Sequence, residues 1–143
     1  MVCVWIYKFA SFSFEDVCKE FVREMQKKNK LPFRYNKMGR WEGKTTVRDK
    51  EAKDGLRVAE TEIDLLAISR DAKEYLVGEF KFKKTVFLYS DYLDTIAKLT
   101  PLKQKSKFYY AFFSESRFDD KVENAAKEND ICLYTLEDIT KTP

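Results

Sequence analysis

Two carboxylates and one ammonium stand at strand spacing in the middle of this chain, and they are the groups best placed to do chemistry. Glu62-Ile63-Asp64-Leu65-Leu66-Ala67 and Leu76-Val77-Gly78-Glu79-Phe80-Lys81-Phe82 read as strands, with Arg70-Asp71-Ala72-Lys73-Glu74 a suitable turn between them. Side chains alternate along a strand, so Glu79 and Lys81 share a face while Phe80 and Phe82 take the other. A turn centred between Asp71 and Ala72 sets Asp64 opposite Glu79 and Glu62 opposite Lys81, with opposed Cβ atoms about 4.5–5.5 Å apart. Opposed carboxylates destabilise a sheet unless a cation or a proton lies between them. Mg²⁺, which takes oxygen ligands and keeps several waters, meets that need, and Mn²⁺ is its substitute. Lys81 would then stabilise an attacking hydroxide or the charge gathering on a phosphoryl group, unless Glu62 takes it as an ion-pair partner. These are parts for phosphodiester cleavage. Two plainer readings stand beside this one: charges at alternate positions also make the solvated face of a half-buried sheet, and a one-residue slip in the turn would undo the pairing.

The rest of the composition narrows the chemistry. There are no histidines, which removes Ser-His-Asp triads, Cys-His pairs, histidine zinc sites and nucleases with a histidine base. Cys3, Cys18 and Cys132 are scattered with no CxxC pair, which argues against a structural zinc and for a reducing, cytoplasmic setting. The four glycines match neither a P-loop nor a dinucleotide fingerprint. Met1–Ala10 is apolar but short and broken by Lys8, so it reads as a lead-in strand or a junction rather than a signal peptide. No apolar run approaches the roughly 20 residues of a membrane helix. A chain of 143 residues that is 44% apolar can bury the core of one domain, 1–143.

The elements that must position these groups are legible from periodicity. Phe14, Val17, Cys18, Phe21, Val22 and Met25 recur at helical spacing. Ser13 is placed as a cap, Phe12 and Val17 as a hydrophobic staple, and Pro32 as a stop, giving a helix over about 13–29. Residues 33–41 look extended, and the charged stretch 44–58 reads as a long loop or a mobile hairpin tip. Strands follow over 62–69 and 75–83, a helix over 88–99, an interior strand over 108–113 and an amphipathic helix over 117–128. A short strand over 131–134 and a helical turn over 136–139 complete the chain. The expected architecture is α/β, a central mixed sheet flanked by helices in αβββαβαβ order.

The acidic strand and the Glu-x-Lys strand together resemble the split D…ExK motif of the PD-(D/E)xK nuclease superfamily, whose members have the restriction-endonuclease-like fold. More closely, the chain is similar to the domain of unknown function at the C-terminus of archaeal-type AAA ATPases. Gly39-Arg40-Trp41, the Phe14-Glu15-Asp16-Val17-Cys18 helix start, Tyr109-Tyr110-Ala111-Phe112-Phe113-Ser114 and the closing Leu133-Tyr134-Thr135-Leu136-Glu137-Asp138-Ile139 carry that resemblance over about 12–140. It implies Asp64 and Glu79 as metal ligands and Lys81 as the catalytic lysine. It also implies that Glu15 holds a second metal or orients water, although a Glu in the first turn of a helix also simply suits the helix dipole. Two departures stand out: Glu42 occupies the place of a second Trp, and no ATPase module is present.

The resemblance implies a Mg²⁺-dependent nuclease acting on nucleic acid, with DNA the expected substrate. A net charge of +3 is compatible with that partner. Lys83 and Lys84 beyond the motif, Arg40 before it, Lys44, Arg48 and Lys50 in the charged stretch, and Lys103, Lys105 and Lys107 are candidate phosphate contacts. Trp41, Tyr89 and Tyr92 are candidates for base stacking or for core packing. Competing readings are a non-catalytic nucleic-acid-binding or interaction module on the same scaffold, and an assembly piece forming a homodimer or docking to an ATPase module.

Overall fold

The computed structural model describes residues 14–81, 86–99, 106–129 and 131–139, the side chains of residues 45–47 excepted. The expected lead-in at 1–11, the Phe12–Ser13 capping pair, Phe82, Lys83, Lys84, Lys103 and Lys105 lie outside the described residues. Helix α1 (Phe14–Lys27) is followed by strands β1 (Tyr35–Arg48), β2 (Leu56–Ser69) and β3 (Glu74–Lys81). Then come α2 (Tyr89–Lys98), β4 (Lys107–Ser114), α3 (Asp120–Glu128), β5 (Ile131–Thr135) and α4 (Leu136–Ile139). One five-stranded sheet runs in the order β1-β2-β3-β4-β5, antiparallel between its first three strands and parallel between its last three. Parallel neighbours need a crossover, and α2 and α3 supply them.

Both faces of the sheet are covered. On one, Val17, Cys18, Phe21, Val22 and Met25 of α1 pack on Leu65, Ala67, Leu76, Ala111 and Phe113. On the other, Leu99 at the end of α2 meets Ile63, Leu66 and Val77, while Val122 of α3 joins Phe87, Phe112 and Phe118. Burial on both faces explains why Phe108–Phe113 is a continuous apolar run rather than an alternating one. Gly78 has a packing reason: a Cβ there would sit 3.0 Å from Leu65 Cβ, so glycine lets β2 and β3 close over the α1 side.

Two local expectations are corrected. Of the two readings of 44–58 the hairpin holds and the long loop does not: the segment forms the distal arms and tip of a long β1–β2 hairpin whose connection spans only 49–55. Lys44 faces Glu60 across the ladder, and opposite charges there favour pairing. At the tip, the Asp49 N–H donates to the Gly55 carbonyl at 2.9 Å, and Gly55 takes a φ of 75°, a left-handed turn conformation suited to glycine. The helix expected from 117 begins at Asp120 instead. Asp119 caps it by accepting from the Lys121 N–H at 3.2 Å, and Phe118 is drawn into a parallel bridge with Phe87.

The β2–β3 turn has the register read from the sequence. Leu65 faces Gly78 and Ile68 faces Tyr75, so the next position along sets Asp64 beside Glu79. Asp71 fixes that turn: its Oδ1 accepts from the Ser69 hydroxyl at 2.7 Å and from the Lys73 N–H at 3.1 Å. Ala72 takes a φ of 57°, the strained position of the turn.

Candidate active site

Asp64 and Glu79 meet where the β2–β3 ladder ends. The last backbone pair there is Leu65 with Gly78. Beyond it, Asp64 Oδ2 accepts from the Phe80 N–H at 2.9 Å, standing in for the backbone carbonyl that a continued ladder would supply. On the other side of Asp64, the β1–β2 register shifts between Gly39 and Trp41, leaving a bulge in β2 between Ile63 and Leu66. Bulges re-aim side chains, and this one spans Asp64.

The two carboxyl groups are close enough for Asp64 to disfavour the charged form of Glu79. Burial first, and then the hydrogen bond and negative charge of Asp64, push the Glu79 carboxyl up to about 8. Lys98 acts in the opposite direction, its Nζ donating to Glu79 Oε1 at 3.1 Å, but it does not outweigh burial and Asp64. The Glu79 side chain is only 13% exposed.

Lys81 shares the Glu79 face of β3 but is held elsewhere. Its Nζ lies 2.6 Å from Asp91 Oδ2 in the first turn of α2, and the same Asp91 oxygen accepts from the Leu88 N–H at 2.8 Å. Glu62 does not pair with Lys81; its partner is Arg40, which also reaches Glu42 at 3.6 Å. Glu42 and Glu62 are directly opposed across β1–β2, and the Arg40 guanidinium resolves that like-charge contact.

Glu15 sits in the first turn of α1 and pairs with Lys19 at 3.1 Å. Its charge and that of Asp64 both bear on Cys18, whose thiol is pushed up chiefly by burial, so Glu15 and Asp64 flank the same stretch of α1. Trp41 packs against the Ile63–Leu99 cluster with its indole over Gly43, and Tyr89 and Tyr92 pack against the Phe87–Phe112 cluster, which is the core-packing alternative for all three. Lys44 is exposed and lines an open groove of about 580 Å³ with Glu42, Glu60, Thr61, Glu62 and Lys98. Lys98 thus stands between that groove and the Asp64–Glu79 pair. It was not among the residues picked out by the sequence: a lysine in the last turn of a helix normally serves the helix dipole, and nothing local marks its reach to β3.

Among the described residues no group of three or more His, Cys, Asp or Glu side chains is arranged to hold a metal ion. The donor set still fits Mg²⁺ or Mn²⁺, because such ions are held by one or two carboxylates with waters and substrate oxygens completing the shell. Asp64 and Glu79 are the residues that would hold such an ion. Among the described residues no helix is long and apolar enough to cross a membrane.

The chain is 35% identical over 139 residues to the uncharacterized protein MJECL04 of Methanocaldococcus jannaschii, a match covering 93% of this chain and 26% of that protein. The chain therefore spans about a quarter of the length of the curated relative it matches. Among solved structures, the protein VC1899 from Vibrio cholerae superposes with a TM-score of 0.55 at 13% identity, over 93% of this chain and 32% of that one, and shares the fold. A repair endonuclease from Pyrococcus abyssi gives a TM-score of 0.40 at 12% identity, over 92% of this chain and 48% of that one, a likeness that carries no argument here. A family model, DUF234, matches residues 4–96, well over half of the chain. The chain therefore belongs to the family described as Archaea bacterial proteins of unknown function.

Proposed function

We propose that the protein is a Mg²⁺-dependent nuclease of PD-(D/E)xK type, hydrolysing phosphodiester bonds of nucleic acid, with DNA the first substrate to test. The observation that carries this reading is the half-buried Asp64–Glu79 pair, two carboxyls set against each other at the open end of a ladder, where burial and Asp64 push Glu79 up to about 8. Two acids set against each other cost stability unless a proton or a cation lies between them. A site that must receive a divalent ion needs both acids. The resemblance of the two strands to the D…ExK motif supports the same reading, as does the order of the sheet and its flanking helices.

In hydrolysis, the oxygen of a water molecule bonds to phosphorus, the bond from phosphorus to one sugar oxygen breaks, and a water proton ends on the departing alkoxide. Asp64 and Glu79 would hold Mg²⁺, which when bound supplies Lewis-acid polarisation of the phosphate and a more acidic water. The protein's own part is to fix the two carboxylates through the Phe80 N–H and the β2 bulge, and to place a lysine ammonium beside them. Glu15, implied by the motif resemblance, is the candidate to orient water, and Lys83, Lys84, Arg40 and Lys44 remain the candidate contacts to flanking phosphates. Linkage to an ATPase module belongs with this proposal; the greater length of the M. jannaschii relative leaves room for further modules.

One observation favours a second reading, a non-catalytic nucleic-acid-binding or protein-interaction module. Lys81, the motif lysine, is occupied by Asp91. Nicking of supercoiled plasmid with Mg²⁺ or Mn²⁺ separates the two. Metal-dependent nicking that disappears in Asp64→Asn supports the nuclease, whereas metal-independent plasmid binding without cleavage supports the module.

A further inference from the structure

We propose that Lys98, and not the motif lysine Lys81, is the cation that serves the Asp64–Glu79 site, and that Lys81 is a positioning residue that anchors α2 so that Lys98 can reach it. This inference rests on the nuclease reading above and assigns a role within that site.

The geometry is a double tie between β3 and α2. Glu79 and Lys81, two positions apart on one strand face, meet Lys98 and Asp91, seven positions apart on one helix. Seven residues are about two turns, so Asp91 and Lys98 project from the same side of α2 toward the sheet. Thr95 lies between them on that side, buried, with its hydroxyl donating to the Asp91 carbonyl at 3.0 Å. Leu99, also buried, seats the end of the helix against Ile63, Leu66 and Val77. The charge order reverses along the strand: carboxylate to ammonium at Glu79–Lys98, ammonium to carboxylate at Lys81–Asp91.

Lys81 has the features of a structural tie. Its ammonium is 2.6 Å from Asp91, and the Asp91 oxygen that receives it also accepts the Leu88 N–H that begins the helix. Turning Lys81 toward the acidic pair would break that contact and leave Asp91 without its cation. Lys98 has the opposite character. It already touches Glu79, it is 31% exposed, and it lines the open groove of about 580 Å³ beside the β1–β2 hairpin. With a divalent cation held by the carboxylates, the Lys98 ammonium would be released from Glu79 to serve a phosphoryl oxygen. An ammonium placed where negative charge develops is the arrangement that lowers the barrier of such a displacement.

The experiment measures plasmid nicking, Mn²⁺ affinity by calorimetry and thermal midpoint for the wild type and for Lys98→Gln, Lys98→Arg, Lys81→Gln, Asp91→Asn and the Lys81→Gln/Asp91→Asn pair. The expected result is that Lys98→Gln nicks about 100-fold more slowly yet binds Mn²⁺ several-fold more tightly, because a competing cation has gone. Lys98→Arg keeps the charge and should stay within about 10-fold of wild type. Lys81→Gln and Asp91→Asn should each lose less than about 10-fold, and the double variant no more than either alone, because both break one tie. Loss of about 100-fold in Lys81→Gln with Lys98→Gln near wild type would overturn the assignment while leaving the nuclease standing. So would weaker Mn²⁺ binding in Lys98→Gln together with a large fall in thermal midpoint, the signature of a structural role. A wild type that neither binds Mn²⁺ nor nicks would sink the nuclease reading itself, and this inference with it.

Discussion

The carboxyl groups of Asp64 and Glu79 are set beside each other at the point where β2 and β3 part, with Asp64 accepting the Phe80 N–H at 2.9 Å. An acid pair in that position has a measurable consequence for stability. In the unfolded chain Glu79 titrates near the ordinary 4.5, whereas in the folded protein it is pushed up to about 8. Between those values the folded state keeps a proton that the unfolded state has lost. Stability should therefore fall as pH rises from about 4.5 to about 8, by as much as a few kcal/mol, with no contribution from this group to the slope outside that window. Urea melts of wild type and Glu79→Gln at pH 5 and pH 8 check this: the variant should lose the slope, and equal slopes would refute the assignment.

Gly78 should be intolerant of a side chain. Its absent Cβ would lie 3.0 Å from Leu65 Cβ and 3.3 Å from Leu65 Cδ2, both in the packed layer under α1. Gly78→Ala is expected to cost about 1–3 kcal/mol by overpacking, and Gly78→Val more. Leu65→Ala should recover part of the alanine variant's loss, a non-additivity that a thermodynamic cycle would read directly.

Arg40 holds together two glutamates that the β1–β2 register sets directly opposite each other. Arg40→Ala should lower the thermal midpoint at low ionic strength and lower it less in high salt, where the Glu42–Glu62 repulsion is screened. Adding Glu62→Gln should restore the midpoint. A salt-independent loss would show that Arg40 acts through packing instead.

Cys18 is fully buried in the α1 face, and burial, reinforced by the charges of Glu15 and Asp64, holds its thiol in the protonated form. In a Cys3→Ser/Cys132→Ser background, a disulfide reagent should label Cys18 only as fast as the protein unfolds. Rapid labelling of the native protein would contradict this placement of α1.

Much of this arrangement could be read before any coordinates. Asp71 with Ser69 and Lys73 makes a turn whose centre sets the β2–β3 register, and that register fixes Asp64 beside Glu79 by arithmetic. The apolar face of α1 and the unbroken Phe108–Phe113 run were equally plain, because burial leaves a periodic trace in sequence. The length of the distal hairpin's strands was not, since Lys44–Arg48 shows no apolar alternation and Leu56 and Val58 face solvent; cross-strand pairs such as Lys44 with Glu60 help hold it, and such pairs become visible only once the register is known. Lys98 escaped for a related reason. Its partner lies 19 residues away on another element, and a helix-end lysine has the same local pattern whether or not it reaches a carboxylate.

The most direct test of the central claim is calorimetric titration of Mn²⁺ into wild type and Asp64→Asn at pH 8, run beside plasmid nicking. Asparagine keeps an oxygen for the Phe80 N–H, so the fold should survive while the charge that helps bind the metal is lost. The account predicts wild-type binding and metal-dependent nicking, with affinity reduced at least about 10-fold and nicking abolished in the variant. Wild type that takes up no Mn²⁺, or a variant that binds and nicks as wild type does, would contradict it.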